Sequence, residues 1–100
     1  MRISPFETRT ILQTARREFG EQVEVWLFGS RTDDARHGGD LDLMVIVSHP
    51  VPNKAEQAAR FAASLQWQLG DQKIDVIIDD GESLMPVHRA ARQAGMPLRC

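Results

Sequence analysis

The sequence predicts a small α/β (α+β) fold in which helices pack on a mixed β-sheet. Helical and strand patterns alternate along the chain in the order α-β-β-α-β-α, and the second and third strands are largely apolar on both faces. Proline, glycine or asparagine stands at most of the boundaries between these segments. The chain has 100 residues, of which 42% are hydrophobic and 26% charged. This composition is typical of a globular protein, and residues 1–100 are expected to form one domain.

The first helix is predicted over residues 4–20. Ser4 and Glu7 have the spacing of a capping box, and Pro5 stands at the first helical position, where its missing N–H is harmless. Gly20 is expected to end the helix. The apolar stripe that would face the core consists of Ile11, Leu12, Ala15 and Phe19.

Three segments are predicted to be strands. Residues 22–28 are rich in valine and aromatic residues, residues 41–47 are almost entirely apolar, and residues 73–78 form a third apolar run. The segment 29–39, between the first two strands, is polar and contains glycine. We expect it to form a loop or a short helical turn.

Two further helices are predicted in the second half of the chain. Asn53 is expected to cap a helix over residues 54–69, and Ser83 begins a last helix that Gly95 and Pro97 close. The apolar stripe of the first of these helices is Ala58, Ala62, Leu65 and Leu69. The stripe of the last helix is Leu84, Val87, Ala91 and Ala94.

Charge and cysteine content exclude several classes of protein. Twelve Lys and Arg residues against fourteen Asp and Glu residues leave a net charge of −2, which argues against direct nucleic-acid binding. Cys100 is the single cysteine, so an internal disulfide framework and a cysteine-based zinc site are excluded. The longest aliphatic run, residues 43–47, is too short to cross a bilayer, and no signal-peptide pattern is present. We expect a cytoplasmic protein with no membrane partner.

Two aspartates interrupt the second strand near its start. Asp40 and Asp42 are two residues apart, so a strand places both side chains on one face, about 6.5–7 Å apart. A solvated face would also accommodate them, but the next residues on that face, Met44 and Ile46, are apolar. Carboxylates about 4 Å apart repel by about 4 kcal/mol at an effective dielectric near 20. Mg²⁺, which prefers oxygen ligands, would remove that conflict.

A third aspartate, Asp75, interrupts the third strand in the same way. If the second and third strands are neighbours, the three acids can converge on one metal site. A lone Asp-x-Asp pair would be weak evidence for such a site, and the third acid strengthens it.

Gly29 and Ser30 follow the first strand; they offer a tight bend and donors to an anion, or form a simple turn. Asp79 and Asp80 lack the spacing of a calcium loop and are expected to form a turn and a cap.

Taken together, LFGSR at residues 27–31 and DLDLMV at residues 40–45 resemble the nucleotidyltransferase superfamily that includes DNA polymerase β. The length and element order resemble its smallest branch, the minimal nucleotidyltransferases (MNT proteins), over about residues 5–80. This resemblance implies a Mg²⁺-dependent enzyme with ATP as substrate. It also implies a helical HEPN toxin as partner. In some such pairs the MNT antitoxin transfers AMP from ATP to a tyrosine of the toxin.

The resemblance also implies roles for six residues. Asp40 and Asp42 would be Mg²⁺ ligands, and Asp75 would be the third carboxylate, which binds a second metal ion and is a candidate base for the acceptor's proton. Two metal ions about 3.5–4 Å apart can bind both the attacking and the leaving oxygen in this type of reaction.

The other three residues would bind the nucleotide. Gly29 and Ser30 would hold its phosphates. Arg31 would add a phosphate contact, although a solvent-exposed loop arginine is an equal alternative.

A non-catalytic function is the alternative: an antitoxin that neutralises a HEPN partner by complex formation alone. Trp67 points away from the apolar stripe of its helix, so it either packs under the C-terminal segment or is exposed, as in a protein interface. An antibiotic-modifying enzyme is disfavoured because residues 81–100 are too few for a second substrate domain. The sequence contains no tyrosine, so a tyrosine acceptor must belong to another molecule.

Overall fold

The computed structural model describes residues 3–28, 40–70, 72–81 and 95–99. Within these ranges the elements are α1 (Pro5–Phe19), β1 (Glu24–Phe28), β2 (Asp40–Ile46), α2 (Lys54–Leu69), β3 (Lys73–Asp79) and β4 (Met96–Pro97). The strands form one sheet in the order β3-β2-β1-β4. β1 is antiparallel to β2 and β4, whereas β2 and β3 are parallel, which confirms the predicted α/β fold with a mixed sheet.

Local sequence signals set the ends of both helices. The Ser4 hydroxyl accepts the Glu7 N–H and the Glu7 carboxylate accepts the Ser4 N–H, both at 3.1 Å, so the predicted capping box is confirmed. The Asn53 side chain accepts the Glu56 N–H at 3.1 Å at the start of α2. Each helix is followed by a glycine with a positive φ angle, Gly20 at 103° and Gly70 at 95°, a conformation that other residues rarely adopt.

Both helices pack on the same face of the sheet and form the core with it. The strand residues of this core include Val25, Leu27, Leu41, Leu43, Val45, Ile74 and Ile78. All four stripe residues predicted for α1 are buried. In α2 the largest buried side chain is Phe61, which the predicted stripe omitted although it lies at helical spacing from Ala58 and Leu65. Its ring meets that of Phe19 edge-on, with centroids 5.5 Å apart.

The C-terminal part of the chain differs from the prediction. Residues 82–94, which contain most of the predicted last helix, lie outside the described residues. Met96–Pro97 forms β4, where only helix-closing residues were expected. A strand of two residues has no detectable alternation, and it exists only because the edge of β1 pairs with it. Leu98 extends this pairing by donating its N–H to the Val25 carbonyl at 2.8 Å.

The remaining strand limits shift by one or two residues: β1 begins at Glu24 rather than 22, β2 covers Asp40–Ile46 rather than 41–47, and β3 extends to Asp79.

Trp67, for which two environments were open, has 91% of its surface exposed. Among the described residues, none belongs to a helix that is both long and apolar enough to cross a membrane.

A buried carboxylate ties the end of β3 to the loop before α2. Asp80 accepts the Val51 N–H at 2.9 Å and lies 3.1 Å from the Lys54 ammonium. Its side chain is almost fully buried. Asp79 makes the expected turn by accepting the Gly81 N–H at 3.0 Å. The prediction of a turn and a cap is therefore incomplete, because Asp80 makes contacts with a segment about 30 residues earlier in the chain.

Asp80→Ala is expected to lower the free energy of unfolding by about 2–4 kcal/mol. It leaves the buried Val51 N–H without this acceptor and removes the counter-charge of Lys54. Chemical denaturation of purified variants measures the loss. Arg60→Ala is the control because the Arg60–Glu56 pair is exposed, and less than about 1 kcal/mol is expected there. Equal losses in the two variants would contradict the importance of the buried link.

Candidate active site

Two of the predicted acids are neighbours across the parallel pair of strands. Asp42 of β2 and Asp75 of β3 are register partners, so they project from the same face of the sheet on strands about 4.8 Å apart. The Asp75 side chain is 58% exposed, and Asp42 is half-buried. β2 and β3 are therefore neighbours, as convergence of the acids requires. We refer to Asp42 and Asp75 as the acid row.

The acid row borders an apolar row on the same face. Two residues further along β2, Met44 is the register partner of Trp26 on β1 and of Ile77 on β3. Met44 is fully buried, and the other two are partly buried. The face therefore changes from charged to apolar within one step, as the sequence predicted. Asp42 and Asp75 thus lie toward the end of the face where β2 and β3 begin.

The chain leaves β1 beside the acid row. Phe28, the last residue of β1, is the register partner of Asp42 on the side opposite Asp75. The predicted phosphate-binding residues Gly29, Ser30 and Arg31 follow Phe28 directly in the sequence and lie outside the described residues. Their roles remain predictions.

Asp40 is the first residue of β2, and its register partner is Lys73, the first residue of β3. The backbone of Asp40 is described, but its side chain is not, so its role as a metal ligand also remains a prediction. The Lys73 ammonium lies 3.9 Å from a carboxylate oxygen of Asp75, two residues further along β3. Lys73 was not among the site residues predicted from the sequence, although the two-residue period of a strand places it on the same face as Asp75.

Residues 8–93 match the family described as the nucleotidyltransferase domain. The chain belongs to this family. Nucleotidyltransferase domains generally use a nucleoside triphosphate and a divalent metal ion. No curated protein matches the chain at a significant level.

Solved structures share the fold of this nucleotidyltransferase domain. A chain of a double Asp-to-Glu mutant of the toxin–antitoxin complex MntA–HpeT superposes with a TM-score of 0.72 at 17% identity, over 92% of this chain and 71% of that one. A chain of the tri-AMPylated Shewanella oneidensis HEPN toxin in complex with MNT antitoxin gives 0.69 at 20% identity, over 94% and 70%. A further Shewanella oneidensis structure gives 0.71 at 14% identity, over 97% and 72%. At these identities the likeness establishes the fold.

The donor set of the acid row suits a hard divalent cation. Mg²⁺ prefers oxygen ligands, and it is usually held by one or two carboxylates together with substrate phosphates and water. Asp42 and Asp75 supply two carboxylates on rigid neighbouring strands. Among the described residues no group of three His, Cys, Asp or Glu residues could hold a metal ion. The Asp40 side chain lies outside that description, so the third predicted ligand is untested.

Asp42→Asn is expected to abolish the stabilisation of the nucleotidyltransferase domain by Mg²⁺ and ATP together. A ligand at 100 times its dissociation constant stabilises the folded state by about 2.7 kcal/mol, and removing one carboxylate weakens the shared cation site. Thermal unfolding with and without Mg²⁺–ATP measures the difference. Glu21→Gln serves as the control because Glu21 is an exposed turn residue beyond the other end of β1. A full thermal shift in Asp42→Asn would contradict the assignment.

Proposed function

We propose that the chain is a Mg²⁺-dependent nucleotidyltransferase that moves AMP from ATP to a partner protein, a HEPN toxin, and thereby silences it. The observation that carries the proposal is the pairing of Asp42 with Asp75 in a chain of the nucleotidyltransferase domain family. The choice of AMP and of a HEPN partner draws on the fold likeness to a complex of tri-AMPylated HEPN toxin with MNT antitoxin. Use of ATP and a single cysteine, which cannot form an internal disulfide, are consistent with the cytoplasm.

In the proposed reaction an acceptor oxygen forms a bond to the α-phosphorus of ATP, the bond from that phosphorus to the bridging oxygen breaks, and pyrophosphate leaves. Asp42, Asp75 and Asp40 would hold Mg²⁺, which supplies positive charge next to the phosphate oxygens. Gly29, Ser30 and Arg31 would bind the triphosphate. Holding the metal ion and the triphosphate in fixed positions would lower the barrier by orientation.

The acceptor hydroxyl has to come from outside the acid row. Asp75 is the candidate base for the acceptor's proton, because its exposed side chain can be reached by a residue of a second protein. The sequence contains no tyrosine, so transfer to tyrosine requires a partner. A partner that presents a tyrosine over the acid row would complete the site.

Incubation of the purified protein with its HEPN partner, Mg²⁺ and ATP labelled at the α-phosphate is expected to transfer label to the partner. Asp42→Ala and Asp75→Ala are expected to reduce transfer by about 100-fold or more, because each removes a group that stabilises charge at the reacting phosphate. Glu21→Gln should transfer label at the wild-type rate. Absence of label from the partner, with wild-type protein and Asp42→Ala indistinguishable, would refute the proposed activity.

The second candidate is an antitoxin that acts by binding alone, and the exposure of Trp67 favours it. Trp67 is 91% exposed on α2, and exposed tryptophans are enriched in the centres of protein interfaces. If binding suffices, Asp42→Ala protects cells from the toxin as well as wild type does, whereas Trp67→Ala weakens partner affinity about tenfold or more. Loss of protection in Asp42→Ala, with partner affinity retained in a pull-down titration, would exclude this alternative.

A further inference from the structure

Lys73 stands out in the charge distribution of the sheet. It is the only basic residue in the four described strands, whose sequences are EVWLF, DLDLMVI, KIDVIID and MP. It begins β3, it is the register partner of Asp40, and its ammonium lies 3.9 Å from a carboxylate oxygen of Asp75. Among the described strand residues, a single cation therefore lies beside Asp75, one of the acids proposed to bind metal.

A role in solubility alone would also account for a lysine at this position. β3 is the outer strand of the described sheet, and edge strands often carry lysine, which prevents edge-to-edge pairing. Exposed ion pairs contribute little to stability. This interpretation predicts that removal of the Lys73 charge leaves metal binding unchanged, so experiment can separate it from a role in the site.

We propose that Lys73 is a positioning residue whose ammonium balances the charge of Asp75 in the nucleotide-free protein. When the nucleotide binds, the ammonium moves away from Asp75, and Asp75 binds the metal ion. The inference rests on the proposed function and concerns the order in which the same site is filled. Free metal would have to compete with Lys73 for Asp75. A bound triphosphate would offer the displaced ammonium new anionic oxygens, so metal and nucleotide would bind together.

The geometry of the pair suits such an exchange. The separation of 3.9 Å exceeds the roughly 2.7–2.9 Å of a charge-assisted hydrogen bond, so the two groups attract without a directional bond. Both side chains are largely exposed, Lys73 at 69% and Asp75 at 58%, so the ammonium can move without unpacking the protein. Lysine is a flexible point charge that commonly binds phosphate, whereas arginine would hold the carboxylate in a bidentate pair.

The test compares Lys73→Met with Arg60→Met, which removes the same charge from an exposed ion pair on α2. Binding of Mn²⁺ alone, followed by its electron paramagnetic resonance signal, should tighten about two- to fivefold in Lys73→Met, the range that an exposed ion pair allows. With the non-cleavable analogue α,β-methylene-ATP present, Mn²⁺ affinities of variant and wild type should coincide. The analogue thus tightens Mn²⁺ binding more in the wild type than in Lys73→Met.

Two comparisons make the outcome decisive. Arg60→Met should bind Mn²⁺ as the wild type does, and Lys73→Arg, which retains the charge and can pair with the carboxylate, should bind Mn²⁺ alone no more tightly than the wild type. Unchanged Mn²⁺ affinity in Lys73→Met, or an equal change in Arg60→Met, overturns the inference. If no AMP transfer occurs but the Lys73→Met difference is found, the proposed function fails and the ion competition stands. If AMP transfer occurs but the Lys73→Met difference is absent, the proposed function stands and the ion competition is overturned.

Discussion

The parallel register between β2 and β3 is the constraint on which the rest of the candidate site depends. It pairs Asp42 with Asp75, and the same register places Leu41 and Leu43 beside Ile74 and Val76 in or against the core. A slip of one residue would turn Asp75 toward the helices and expose its apolar neighbours. The hydrophobic core thus specifies the position of the two carboxylates, although neither contributes to the core.

The two faces of the sheet differ in what they carry. One face is covered by α1 and α2, and the other carries the acid row with an apolar row next to it. At the far end of β3, Asp80 links the strand to the loop before α2 through Val51 and Lys54. Carboxylates at the two ends of β3 therefore have different surroundings: Asp80, just after the strand, is buried and bound by protein groups, whereas Asp75 is largely exposed.

Elements that are specified by residues close together in the sequence were predicted with nearly the right limits. The caps at Ser4 and Asn53 begin each helix where the side chain accepts a backbone N–H group, so α1 and α2 were placed nearly residue by residue. The alternation that brings Asp40 and Asp42 to one face is also local. β4 was missed because its two residues become a strand only by pairing with β1, and the contacts of Asp80 were missed because they join segments far apart in sequence.

The sequence by itself determined the candidate residues of the site: three aspartates in apolar strands, after a glycine–serine pair, in a pattern that resembles nucleotidyltransferases. Only the tertiary structure decided that Asp42 and Asp75 are neighbours, that Lys73 accompanies them, and that Trp67 is exposed. The physical reason is that periodicity specifies the face on which a side chain lies, whereas strand order and register depend on how the whole core packs.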